Sequence, residues 1–127
     1  TLLQYYYLKR NNINVGFNYG DEIDVLLVSS NTVLKKIIKN SKYKKKLFIA
    51  NWSLSETPIH FREKFKYIIN NFDFQLISFQ KNFENINNCK YFDAMNFKNS
   101  KENRLSKIIP VNRLKNNYYL FSKTKMV

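Results

Sequence analysis

The stretch of the chain best suited to chemistry runs from Leu47 to Arg62, with the sequence LFIANWSLSETPIHFR. A short apolar run ends at Ala50, and polar side chains follow it at once around the only tryptophan, Trp52. These side chains can donate and accept hydrogen bonds, and Glu56 and His60 can also exchange protons. A buried strand that leads into a polar loop and a capped helix is how α/β enzymes present functional groups. We therefore expect the functional site in this stretch.

Three segments are predicted to be helices from their composition or from the spacing of their apolar residues. The clearest runs from Pro58 to Asn71, where phenylalanine and isoleucine recur at helical intervals. Thr57 is a suitable N-cap for it, and Pro58 suits the first helical position because its missing N–H costs nothing there. The other two are Thr1 to Arg10 and the amphipathic stretch from Asn31 to Asn40.

Shorter apolar runs between the helices are predicted to be strands. Ile23 to Ser29 is nearly continuous in apolar residues, like strands that are buried on both faces of a parallel sheet. Pro110 restricts its strand to the edge of a sheet. The predicted strands are Ile13–Asn18, Ile23–Ser29, Leu47–Ala50, Asp73–Gln80 and a terminal antiparallel pair, Ile108–Val111 and Asn117–Lys123, with Tyr91–Met95 as a short strand or an irregular segment. This order predicts a single α/β domain with a mostly parallel sheet.

The chain is strongly basic, with 22 Lys and Arg against 9 Asp and Glu and a formal net charge of +13. Such a charge attracts polyanions, so one hypothesis is a module that binds nucleic acid through lysines and interleaved tyrosines. The other explanation is a general bias toward lysine and asparagine, which covers loops and regular elements alike. Charge alone does not decide between them.

Composition also excludes several kinds of site. The single cysteine, Cys89, cannot form an internal disulfide, and one histidine is too few for a zinc-binding constellation. The two glycines, Gly16 and Gly20, stand in a context that matches no phosphate-binding loop. No apolar run approaches the ~18 residues of a membrane-spanning helix. We expect a cytoplasmic protein without membrane contact.

Asn51 to Pro58, with the sequence NWSLSETP and a helix containing Phe61-Arg62 after it, resembles the signature of the sugar O-methyltransferase family. Softer similarities stand in the family's order, in Leu2–Leu8 before this motif and in Asp73–Phe83, Asn87-Asn88, Phe92 and Asn117–Phe121 after it. The resemblance implies a partial Rossmann-like fold with S-adenosylmethionine as the cofactor. It covers the carboxyl-terminal half of such an enzyme, because the family's glycine-rich loop and acidic ribose-binding residue would lie before Thr1. The isolated chain is therefore expected to bind the cofactor poorly and to be inactive alone.

In such an enzyme, methyl transfer is an in-line displacement, and a base that removes the hydroxyl proton assists it. Glu56 and His60 are the candidate catalytic residues, since both follow the third predicted strand, where the acceptor would enter. The structural alternatives are that Glu56 only interacts with the dipole of the following helix and that His60 is an exposed residue of its first turn. A catalytically inactive fragment is a third reading, beside the enzyme and the nucleic-acid-binding module.

The remaining polar side chains of this stretch are candidates for substrate binding. Asn51 could hold the acceptor or the cofactor by its amide, and Ser53 and Ser55 could donate to sugar hydroxyls. Trp52 could stack on a sugar ring. Each of them also has a structural alternative, as a turn residue, a loop cap or an anchor in the core.

Four positions outside the loop complete the predicted site. Arg62 could pair with Glu56 or an acidic sugar, or it could lie on a solvated helix face. Gln80 ends the fourth predicted strand and would lie at the same rim. Ser29 and Asn31 follow the second predicted strand and are the candidate cofactor-binding residues. We expect no metal ligands, and a small sugar-like acceptor as the partner.

Overall fold

The computed structural model describes residues 2–18, 22–40, 45–101 and 104–124, except for the side chains of residues 97–101. The chain divides into two compact units, Thr1–Lys42 and Tyr43–Val127. The first contains a two-stranded sheet and the second a four-stranded one. Almost all of the predicted site residues belong to the second unit.

The first unit consists of α1 (Leu2–Arg10), β1 (Val15–Gly16), β2 (Val25–Leu26) and α2 (Asn31–Asn40). Both predicted helices are confirmed, and the two strands pair in parallel. The strands are shorter than predicted, and residues 25–28 are half-buried rather than enclosed on both faces. A ladder of two residue pairs leaves most of the apolar run outside the sheet.

The second unit contains β3 (Leu47–Asn51), α3 (Ile59–Ile69), β4 (Phe74–Gln80), β5 (Asn82–Phe83), β6 (Ile86–Asn87), α4 (Asn88–Lys101), β7 (Arg104–Pro110) and β8 (Asn117–Thr124). Its main sheet has the order β3-β4-β8-β7, in which β3 and β4 are parallel and β8 is antiparallel to both of its neighbours. The predicted closing antiparallel pair is confirmed, with Pro110 in the edge strand β7. The prediction of a mostly parallel sheet is wrong, because the last strand inserts between β4 and β7.

Helix α3 confirms the clearest helical pattern in the sequence, but its start differs from the prediction. Pro58 is the N-cap rather than the first helical residue, and no side chain caps the helix. The Thr57 hydroxyl donates instead to the Leu54 carbonyl at 2.7 Å, inside the preceding loop. Phe61, in the predicted apolar stripe, is 40% exposed and stacks on Phe65.

The segment from Tyr91 to Met95 is helical, which corrects the prediction of a strand or an irregular pass. It belongs to α4, and the short hairpin of β5 and β6 precedes it. Asn87 Oδ1 accepts the Lys90 backbone N–H at 2.9 Å, as an N-cap side chain does. Phe92 and Met95 are buried three residues apart, at helical spacing. The adjacent aromatic residue Tyr91 concealed that period in the sequence.

The core of the second unit lies on one face of its main sheet. The core residues come from β3, β4 and β8, from both helices and from the loop after β3: Ala50, Leu54, Ile69, Ile77, Phe79, Phe92, Met95 and Leu120. Alternate strand residues point to the other face, where Ile49 is 55% exposed and Leu105 is 50% exposed. The described residues thus form a mixed α/β fold. None of the helices in the described ranges is long and apolar enough to cross a bilayer.

Candidate functional site

Two loops lie at the same end of the strands of the main sheet. The polar loop, residues 51–58, follows β3, and the hairpin loop, residues 111–116, joins β7 to β8. β4 runs parallel to β3 and ends at Gln80, which pairs with Asn117 at the start of β8. The carboxyl ends of the parallel strands and the hairpin loop therefore share one rim. Open α/β sheets present binding groups at these carboxyl ends of their strands.

Trp52 anchors the polar loop. Its φ of 54° lies in the left-handed region, which is strained for a large side chain and needs support from its surroundings. Its backbone N–H donates to the Ser78 carbonyl at 3.1 Å, and its indole Nε1 donates to Asn117 Oδ1 at 3.0 Å. The Trp52 carbonyl accepts the Glu56 N–H at 3.0 Å. These bonds fix the sharp turn after β3 and tie the loop to β4 and β8.

A chain of polar groups runs from the interior of the loop to its surface. The buried Ser55 hydroxyl lies 2.8 Å from both the Trp52 carbonyl oxygen and Gln80 Oε1, and its single proton serves one of them at a time. Gln80 Nε2 donates in turn to Glu56 Oε1 over a long 3.5 Å. Glu56 is exposed. A half-buried amide therefore lies beside an exposed carboxylate.

Asn51 and Ser53 are also exposed at this rim. Asn51 Oδ1 accepts a hydrogen bond from the buried Ser78 hydroxyl at 3.0 Å. Within the described ranges the Asn51 side-chain NH2 has no partner, so it can donate to a ligand. The Ser53 backbone N–H donates to the Asn51 carbonyl at 2.6 Å, and its hydroxyl adds a second donor at the surface.

Arg62 supports the loop from inside. Its side chain is fully buried, with 0% exposure. Nε donates to the Thr57 carbonyl at 2.8 Å, one terminal nitrogen to the Ser55 carbonyl at 2.6 Å, and the other to Asn88 Oδ1 at 2.7 Å. Asn88 Nδ2 also donates to the Ser55 carbonyl, at 3.3 Å. The guanidinium thus satisfies the Thr57 carbonyl and gives the Ser55 carbonyl the shorter of its two hydrogen bonds.

The surroundings of Arg62 are aromatic and neutral. Its guanidinium carbon lies 5.1 Å from the ring centre of Tyr91 and 5.9 Å from that of Phe92, within cation–π range. Burial lowers the pKa of Arg62, although arginine stays charged in proteins. The Tyr91 hydroxyl donates to Glu63 Oε1 at 3.0 Å, and burial together with the Glu63 charge raises the pKa of Tyr91 well above its ordinary value.

The structure brings most of the predicted site residues to one rim. Asn51, Ser53, Glu56 and Gln80 gather there with their polar groups at or near the surface, and Trp52 is half-buried between them and Asn117. Ser55 is also at the rim but wholly enclosed.

Arg62, His60, Ser29 and Asn31 differ from that group. Arg62 does not lie on a solvated helix face: it is fully buried, and each of its three guanidinium nitrogens donates to a protein oxygen, so it has no exposed surface for an acceptor molecule. His60 is exposed in the first turn of α3 and has no hydrogen-bond partner in the described part of the chain. Ser29 and Asn31 are exposed residues of the first unit, just before and at the start of α2.

Three residues that support the site were not predicted: Ser78, Asn88 and Asn117. Each is a short polar residue inside or beside an apolar run, as Ser78 is in FQLISFQ. Such a residue is expected to be buried only when it has a hydrogen-bond partner. Their position in the sequence therefore indicates that they belong to a hydrogen-bond network, but it does not identify their partners.

A scan of family models, a search of curated proteins and a search of solved structures all found no match to this chain.

Proposed function

We propose that this chain is the acceptor-binding part of an S-adenosylmethionine-dependent O-methyltransferase, whose acceptor is a sugar or a sugar-like molecule. One observation carries the proposal. The exposed Asn51 amide, the half-buried Gln80 amide and the exposed Glu56 carboxylate lie where two parallel strands end, beside a strained tryptophan. Backbone strain of this kind clusters at functional sites. The resemblance of the NWSLSETP segment points to the same rim.

The fold is compatible with a partial Rossmann-like sheet closed by an antiparallel strand pair. Polar groups of this chain suit the acceptor, since amides and a carboxylate can bind hydroxyl groups from several sides. For the cofactor, the sequence singles out Ser29 and Asn31, which are exposed and do not stand in a glycine-rich loop. The proposal therefore assigns the main cofactor-binding loop to sequence outside these 127 residues.

S-adenosylmethionine would supply an electrophilic methyl group. The task of this chain is to align the acceptor hydroxyl and to take its proton as the oxygen–carbon bond forms. Glu56 is the proposed base, because its carboxylate is exposed at the rim and Gln80 Nε2 holds it. His60, which lacks a comparable contact in the described structure, is the second choice.

The test is transfer of a radioactive methyl group from S-adenosylmethionine to a panel of monosaccharides, by the protein that contains this chain. Glu56→Gln is expected to lower kcat by about 10²–10⁴-fold while cofactor affinity stays nearly unchanged, since a general base contributes about that much. Asp93→Asn, at an exposed carboxylate on α4, is the matched control. Wild-type turnover in Glu56→Gln would exclude Glu56 as the base, and no transfer to any hydroxylated acceptor would contradict the proposal.

A second candidate is a module that binds single-stranded nucleic acid. The observation in its favour is in α1, where Tyr6 and Tyr7 are 60% and 65% exposed beside Lys9 and Arg10. Exposed aromatic rings among cations can stack on bases. This candidate requires binding that weakens steeply with salt, whereas binding of a neutral sugar does not.

A further inference from the structure

The hairpin loop borders an open surface cavity of about 360 Å³, within the range of small-molecule sites. Its lining includes Arg113, Leu114, Lys115 and Tyr118, and it contains no acidic residue. Arg113 and Lys115 are exposed. Neither side chain forms a hydrogen bond or an ion pair within the described part of the chain. Two cations that have no partner among the described residues thus share the wall of one cavity.

The loop that carries these cations is held in place by its backbone. The Val111 N–H donates to the Asn117 carbonyl at 2.8 Å, and the Lys81 N–H donates to the Asn116 carbonyl at 2.8 Å. Arg113 and Asn116 have φ values of 65° and 62°, so two residues adopt the left-handed conformation in one short turn. The cations therefore project from a defined loop rather than from a flexible tail.

The cavity borders the polar loop through one residue. Asn117 lines the cavity, and its Oδ1 accepts the hydrogen bond of the Trp52 indole at 3.0 Å. Asn117 also pairs with Gln80, which holds Glu56. A molecule seated at the rim can therefore contact the polar loop with one end and the cations with the other.

We propose that the hairpin cavity binds an anionic group of the acceptor, a phosphate ester or a carboxylate, through Arg113 and Lys115. The proposal rests on the function proposed above and names the class of acceptor: an acidic or phosphorylated sugar. Arginine binds either anion in a two-pronged geometry, and lysine adds a point charge. A neutral sugar would leave both cations unpaired.

The experiment is a titration of the isotope-labelled 127-residue chain, followed by the amide signals of its NMR spectrum. The ligands are glucose 6-phosphate, glucuronate and glucose in separate arms. We expect the phosphate, the carboxylate or both to shift the amides of residues 111–118 at concentrations at which glucose does not. The first two arms show which anion the cavity prefers.

Arg113→Gln/Lys115→Gln is expected to weaken binding of the preferred anion at least about tenfold, since charge-assisted hydrogen bonds are strong. Lys64→Gln/Lys90→Gln is the matched control, because it removes the same charge from exposed positions on α3 and α4. Equal losses in both variants would overturn the proposal in favour of nonspecific attraction. Shifts by glucose as large as those by the anions, or no shifts by any sugar, would also overturn it.

A single-stranded oligothymidylate is a further arm. If only the oligonucleotide shifted the amide signals of residues 111–118, and if Arg113→Gln/Lys115→Gln abolished that shift, the proposal would be overturned in favour of nucleic-acid binding. Methyl transfer to neutral sugars, without binding of either anionic sugar at the cavity, would exclude an anionic acceptor but would still support the methyltransferase. Anion binding without any methyl transfer would support the cavity and reject the enzyme.

Discussion

Arg62 and Arg113 lie near the same rim of the sheet and use one type of side chain in opposite ways. Arg62 is fully buried, and three neutral oxygen acceptors occupy its guanidinium. Arg113 is exposed in the wall of a cavity and has no partner within the described ranges. The first arginine holds the shape of the polar loop, and the second is available to a ligand. The comparison teaches that an exposed cation of this basic chain can bind a ligand, whereas Arg62 is enclosed by the protein and a ligand cannot reach it.

The largest expected effect is on stability, in Arg62→Met. The substitution keeps an apolar stem but leaves the Thr57 carbonyl and the Asn88 amide oxygen without their donor, and it leaves the Ser55 carbonyl only the longer bond from Asn88 Nδ2. We expect a loss of about 2–4 kcal/mol in the free energy of unfolding, because each unbonded buried group costs about 1–3 kcal/mol and part of this is offset by removal of a buried charge. Urea unfolding followed by circular dichroism measures it.

Arg113→Met is the matched control for Arg62→Met. It removes the same charge from an exposed side chain, so its effect is expected to stay within about 0.5 kcal/mol. Equal stabilities of the two variants would remove the distinction between a structural and an available arginine.

A smaller effect on stability is expected in Ser55→Ala, which tests the hydrogen bonds inside the polar loop. The Ser55 hydroxyl is buried between the Trp52 carbonyl and Gln80. Its loss is expected to cost about 1–2 kcal/mol of stability and to release Gln80 from its place beside Glu56. Ser53→Ala, at an exposed hydroxyl of the same loop, is expected to change stability by less than about 0.5 kcal/mol. Identical unfolding curves of the two variants would contradict a stabilising role for the hydrogen bonds of the buried Ser55 hydroxyl.

The smallest effect is a pH dependence carried by Tyr91, which stacks on Arg62. Because burial and the Glu63 charge raise the pKa of Tyr91 in the folded state, the unfolded chain loses this proton first. The stabilisation is therefore complete below about pH 10, the ordinary tyrosine pKa, and is lost as the pH rises above it. Tyr91→Phe is expected to show a shallower fall of stability above about pH 10 than the wild type does. Unfolding at several pH values measures this, with Tyr7→Phe as the control at an exposed ring, and equal slopes in Tyr91→Phe and the wild type would contradict it.

Most of the helices and strands could be predicted from local pattern. The helical spacing between Pro58 and Asn71 and the amphipathic pattern from Asn31 to Asn40 are local properties, and both helices are present. Three of the four strands of the main sheet were found within one residue of their true bounds, whereas β7 begins at Arg104, four residues before its predicted start. Helix α4 was missed because Tyr91 and Phe92 are adjacent, so the apolar pattern suits a strand as well as a helix. Strand order was not accessible, since β8 pairs with β4 across dozens of residues.

For the candidate site, the sequence by itself determined where the polar groups are: a short loop with one tryptophan after an apolar strand. It could not show which of them face the solvent. Only the tertiary structure decided that Arg62 and Ser55 are enclosed while Asn51 and Glu56 are exposed, and that Asn117, 65 residues from Trp52, holds its indole. The physical reason is that periodicity comes from neighbours along the chain, whereas burial and hydrogen-bond partners depend on segments that meet only when the sheet forms.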